Sequence, residues 1–98
     1  MTLPVYLRPA AETDVREAYK WLEQESSGLG ERFSARLREV FEQIEFMPNM
    51  FGAVWRDVRA ARLKTFRYLV YYVVLLDRIE VLAVMHGSRN ESEWQSRA

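Results

Sequence analysis

The chain has no cysteine and a single histidine, His86, among its 98 residues. The first absence excludes a disulfide framework and any thiolate zinc site. The second excludes a histidine-rich metal centre, so neither metal nor cofactor is expected. Long apolar runs are missing too: nothing approaches the roughly 18 uninterrupted residues of a membrane span. The opening MTLPVYLRPAAETD has no basic segment leading into an apolar one, so it does not read as a signal peptide. A soluble cytoplasmic protein with no membrane contact is expected. No charge of one sign dominates, since 14 Lys and Arg balance 14 Asp and Glu. Nucleotide-binding and nucleophile-elbow motifs are lacking; Gly28-Leu29-Gly30 is too isolated to count as a phosphate cradle.

What is present is hydrophobic, at 49% of residues, enough for a packed core rather than disorder. The length fits one small domain, residues 1–98, able to bury a core without staples. Its centre is FRYLVYYVVLLDRIEVLAVMHGSR, Phe66–Arg89. The β-branched and aromatic content predicts two strands, Phe66–Leu75 and Arg78–His86, turning near Leu76-Asp77.

Ahead of this hairpin, Leu3, Val5 and Leu7 alternate in a short strand candidate over Leu3–Arg8 that Pro9 ends. A helix is expected from about Ala10–Glu12, with Val15, Ala18, Tyr19 and Leu22 on one face. Ser26-Ser27-Gly28-Leu29-Gly30 stops it. A second helix runs from about Glu31, its face made by Phe33, Leu37, Val40, Phe41 and Ile44, and Met47-Pro48 ends it. Two such helices joined by about five residues predict an antiparallel hairpin. Pro48–Val54 reads as loop, Asp57–Lys64 as a further strand, and Asn90–Arg97 as a short terminal helix or a frayed end. The fold class is therefore α+β: an N-terminal strand and a helical hairpin on a three- to four-stranded antiparallel sheet.

The central hairpin is apolar on both sides. Phe66, Tyr68, Val70, Tyr72 and Val74 alternate with Leu69, Tyr71, Val73 and Leu75. In the second strand, Ile79, Val81, Ala83 and Met85 oppose Leu82 and Val84. A sheet covered on one face should alternate apolar with polar. The surplus predicts either a partner on the second face or a fold-over by loop 48–56 with Met50, Phe51 and Trp55.

Charge is uneven along the chain: residues 1–51 carry nine acids and six bases, residues 52–98 five acids and eight bases. Arg56, Arg59, Arg62, Lys64 and Arg67 form a basic stripe, suited to an acidic partner or nucleic acid, or equally to a solvated strand edge. One catalytic constellation is worth testing, metal-independent RNA cleavage, which needs a base, an acid and cations for the phosphorane. His86 is the acid or base, Tyr71 or Tyr72 an alternative acid, and Lys64, Arg67 and Arg89 the cations. Each also has a structural reading. A lone histidine at a strand end is more often a hydrogen-bonder. Tyr71 and Tyr72 point to opposite faces, so at most one serves a site. Arg89 can pair with Glu91, Glu93 or Asp77, and Trp94 reads as an anchor for the C-terminus. On the second helix, Arg38–Glu42 is expected as an i,i+4 pair on a solvated face.

Three segments, VYLRPAAETDVREAYKWLE, GERFSARLREVFEQIEFMP and RLKTFRYLVYYVVLLDRIEVLAVMHGSRNESEW, together resemble the RelE/ParE superfamily of toxins from bacterial type II toxin–antitoxin systems. The resemblance is most specific at Pro9-Ala10-Ala11 with Asp14, at Phe66–Tyr72, and at His86-Gly87-Ser88-Arg89 with Trp94. It implies a helical hairpin on an antiparallel sheet and a cognate antitoxin that folds onto the toxin as a hetero-oligomer. The ParE side, which the long helices and neutral charge resemble more, implies growth inhibition through DNA gyrase and plasmid stabilisation. Target contact is then expected at Arg59, Arg62, Lys64, Arg67, His86, Arg89 and Trp94. The RelE side implies mRNA cutting on the ribosome, with Arg67, Tyr71, His86 and Arg89 as the catalytic set. A member that only binds its antitoxin, without toxicity, is the third possibility.

Overall fold

The computed structural model describes residues 2–98. Strand β1 (Val5–Leu7) leads into helix α1 (Pro9–Glu25), with proline at the first helical position, where its missing N–H costs nothing. Helix α2 (Leu29–Phe46) follows, then β2 (Ala53–Trp55), β3 (Val58–Arg62), β4 (Tyr68–Val74), β5 (Ile79–His86) and a short α3 (Glu91–Gln95). The five strands are ordered β1-β5-β4-β3-β2. All neighbours are antiparallel except β1, which runs parallel to β5 with Val5 opposite Ile79 and Leu7 opposite Val81. The sheet is thus one strand larger than the expected maximum of four, and mixed at one edge. The extra strand is β2, which lies within the stretch read as loop.

The helical faces follow the spacing of their apolar residues. Ala11, Ala18 and Leu22 of α1 are buried, as are Phe33, Leu37, Val40 and Ile44 of α2. The turn between the helices needs Gly28 at φ 88°, where a side chain would be strained. Gly30 lets the two helices approach: a Cβ there would lie 2.7 Å from Glu23 Cγ. The ion pair on α2 is Arg36–Glu39 at 2.5 Å, three residues apart, in place of the anticipated Arg38–Glu42.

Both faces of the sheet are buried within the chain. The helices cover one, where Phe33, Ile44, Val70, Tyr72, Ile79, Val81 and Val84 form the main core. On the other face Val58, Tyr71, Val73, Leu82, Ala83 and Met85 pack with Trp94 of α3, and Trp55 joins them. The apolar surplus on the second face therefore needs no second polypeptide. Trp55 of the anticipated fold-over segment contributes, but the main cover comes from the terminal helix.

Regular alternation fails in β5. Tyr71 pairs with Ala83 and Tyr72 with Val81, so Leu82 is an extra residue, a β-bulge. Val81 faces the helices, Leu82 and Ala83 both face Trp94, and Val84 returns to the helix side. Ala83 and Met85 thus lie opposite to Val81, not beside it. The same shift turns His86 toward α1.

Candidate functional site

Beyond the bulge, α1 and the end of β5 frame a cleft of about 640 Å³ lined by Asp14, Glu17, Trp21, Tyr68, His86 and Arg89 among others. α1 supplies two carboxylates and an exposed indole; β5 and the loop after it supply the imidazole and a guanidinium. Its fourth wall is Arg97, also among the lining residues.

His86 is half-buried, with its ring edge-on to Tyr68 at 5.5 Å between centroids. The backbone N–H of Ser88 donates to Nδ1 at 3.1 Å, and the Ser88 hydroxyl lies 2.8 Å from the same nitrogen. Nδ1 is therefore an acceptor in the neutral ring, which leaves the ring proton on Nε2. Burial pushes the Tyr68 hydroxyl above its ordinary range, opposed by the positive charge of Arg89. Arg89 itself donates to Glu93 Oε1 at 2.8 Å, one turn along, as one of its anticipated partners.

The remaining predicted residues divide sharply. Arg62, Lys64 and Arg67 are exposed at the end of the sheet that also holds His86, and the carbonyl of Arg67 accepts from Gly87 N–H at 2.7 Å. Arg59 is a tether: its Nη1 donates to the carbonyls of Phe51 at 2.5 Å and Asn49 at 3.3 Å, fixing the loop before β2. Trp94 is 5% exposed and stacks on Tyr71 at 4.4 Å and 11°, with Trp55 edge-on at 6.2 Å. It is an anchor, with no free face for a partner. Tyr71 lies beneath it on the face away from the cleft; burial pushes its hydroxyl up, with Glu91 adding to the effect. Tyr72 is wholly inside the helix-side core, donating to Pro48 O at 2.7 Å. The catalytic set Arg67, Tyr71, His86 and Arg89 is thus not brought to one point.

The sequence reading missed Glu17, Trp21, Tyr68 and Arg97 as parts of a site. Asp14 had a visible signal, because an acid at the i+3 position from Ala11 and i−4 from Ala18 falls on the buried stripe of α1. Such an acid demands a partner. It has two: Val84 N–H donates to its carboxylate at 3.0 Å, and Arg97 Nη1 donates at 2.6 Å. No group of acids, histidines or cysteines able to hold a metal occurs among the described residues, and no helix among them is long and apolar enough to cross a membrane.

The family described as the ParE toxin of the type II toxin–antitoxin system parDE matches residues 5–91. Curated relatives called Toxin ParE2, from the Mycobacterium tuberculosis strains CDC 1551 / Oshkosh and ATCC 25618 / H37Rv, are each 29% identical over 91 residues. The match covers 92% of this chain and 87% of theirs. A solved structure described as the chromosomal ParDE TA system from P. aeruginosa shares the fold, with a TM-score of 0.75 at 14% identity over 87% of this chain and 96% of that one. The helices on a mostly antiparallel sheet and the match across almost the whole chain agree: this protein belongs to the ParE toxin family of type II toxin–antitoxin systems.

Proposed function

We propose that this toxin acts in the cytoplasm by binding DNA gyrase and stalling it on DNA, and that a cognate antitoxin neutralises it by folding onto its surface. The observation that carries this reading is the dispersal of the nuclease set. Tyr71 is covered by Trp94 on the far face of the sheet, Arg89 is engaged by Glu93, and His86 faces a wall bearing Asp14 and Glu17. A phosphorane needs converging cations, and an arginine already paired with a glutamate, with the tyrosine on the far face, does not supply them. A neutral chain also lacks the long-range attraction expected of a protein that grips ribosomal RNA. Binding a protein target asks for none of this. The exposed arginines and lysine at the end of the sheet, Arg62, Lys64 and Arg67, with His86 and Arg89, form the target-contact surface. The antitoxin has apolar ground away from the two cores: Trp21 is 55% exposed and Phe46 69%.

The test adds purified protein to a gyrase supercoiling reaction and, separately, to translating ribosomes with a reporter mRNA. Supercoiling is expected to stop at micromolar protein with the mRNA intact, and the antitoxin encoded beside the gene is expected to restore it. Unaffected supercoiling with cut mRNA overturns the proposal in favour of ribosome-dependent cleavage. Unaffected supercoiling with intact mRNA points to a non-toxic antitoxin-binding module.

A further inference from the structure

β1 ends at Leu7, and Arg8 N–H still donates to Val81 O at 3.0 Å before the chain turns into α1. From Leu82 onward the outer edge of β5 has no neighbouring strand. Two of its polar groups, Leu82 O and Val84 N–H, are bonded instead by two side chains 83 positions apart in sequence. Asp14 comes from α1 on one side of the sheet and accepts from Val84 N–H at 3.0 Å. Arg97, just past α3 on the other side, donates to Leu82 O at 3.1 Å and to both oxygens of Asp14, at 2.6 and 3.3 Å. The carbonyl of Arg97 is held in turn by Arg8 Nη1 at 2.7 Å. Carboxylate and guanidinium together reproduce the acceptor and donor that a longer β1 would have offered.

We propose that Asp14 and Arg97 are positioning residues: they form a clasp around the open edge of β5 that holds residues 87–97 as a strap against the second core, and so set the place of Ser88 and Arg89 in the cleft. Two further anchors act along the strap: Gly87 N–H binds Arg67 O and Trp94 stacks on Tyr71, while Asn90 caps α3 within it through Ser92 N–H. A helix of five residues does not persist by itself in water, so the strap depends on these anchors. The clasp is its only hydrogen-bonded tie to α1 among the described residues, and it is well shielded, with the Asp14 side chain 14% exposed. The role in target contact rests on the function proposed above; the clasp itself does not.

Amide exchange followed by NMR on the full chain separates the two. Ile79 N–H, bonded to Pro4 O at 2.9 Å on the same edge of β5, is the internal reference for folding. In Arg97→Ala, Val84 N–H is expected to exchange at least about tenfold faster while Ile79 is unchanged. Trp94 emission should shift to longer wavelength as the strap loosens. Arg97→Lys, which keeps a donor for Asp14, should recover most of both signals. Gyrase inhibition should fall about tenfold in Arg97→Ala and return in Arg97→Lys, because the contact surface is displaced rather than removed. Unchanged Val84 exchange and Trp94 emission in Arg97→Ala overturn the clasp. So does a loss of Val84 protection in Arg97→Lys equal to that in Arg97→Ala. If Ile79 opens with Val84 in Arg97→Ala, the pair holds the whole fold rather than the strap, and the proposal also falls. Wild-type protein that leaves gyrase untouched, with Val84 behaving as described, refutes the target and leaves the clasp standing.

Discussion

The two faces of the sheet are closed by very different means. On one, helices of 17 and 18 residues lay continuous apolar stripes over β4 and β5. On the other, a five-residue helix and a three-residue strand do the work with two tryptophans. Equal dryness does not mean equal permanence. Two long helices hold the helix side, whereas the second side is held mainly by Trp94 on Tyr71, the Gly87–Arg67 bond and the Asp14–Arg97 pair. The weaker closure lies next to the residues proposed to meet the target.

The sharpest way to break the comparison is to remove one large buried ring from each side. Phe33 is completely buried and edge-on to Phe66 and Tyr68 at 5.8 and 5.2 Å. Phe33→Ala should cost about 3–5 kcal/mol in urea unfolding, a large share of a small domain's stability. Trp94→Ala should cost less, about 2–3 kcal/mol, because the strap can move away instead of leaving a cavity. That variant should bind a hydrophobic dye while its far-UV helical signal persists. Equal losses, both with loss of helix, would mean the faces form one cooperative unit.

The smallest effect concerns the sheet edge that β1 does cover. Glu80 accepts from Arg78 Nε at 2.8 Å and Arg8 Nε at 2.9 Å. These two bonds, Arg78 first, hold its carboxyl below the ordinary value of 4.5. A lowered folded-state pKa means stability that is complete above the ordinary value and is lost as pH falls through the lowered one. Glu80→Gln should therefore lower the melting temperature slightly at neutral pH, where the contribution is complete, and flatten its fall below about pH 4.5, where the wild type loses the same contribution. An unchanged acid slope would show that these part-buried pairs add nothing.

The difference between the faces also marks what could be read from the chain. Helical spacing was legible, since Phe33, Leu37, Val40 and Ile44 return to one side whatever lies opposite. So was the hairpin turn, where Leu75 N–H meets Arg78 O at 2.8 Å. The bulge at Leu82 was not, because a period of two has no symbol for an added residue in a run where every side chain is apolar. It reversed the sides of Ala83 and Met85 and turned His86 into the cleft. β2 was too short to announce itself, and the parallel pairing of β1 depends on a strand more than 70 residues away. The cover on the second face was half visible. Trp94 could be identified as an anchor, but its seat on Tyr71 is a tertiary fact. So is the pairing of Asp14 with Arg97.

The most direct test of the functional account is the growth response to His86→Gln expressed without antitoxin. A toxin that binds gyrase needs no proton transfer from this ring, and glutamine keeps a polar group at the contact, so the variant should still arrest growth and produce filamentous cells, at a modestly higher dose than wild type. Harmless His86→Gln beside a wild type that halts translation would contradict the account and return the imidazole to a catalytic role.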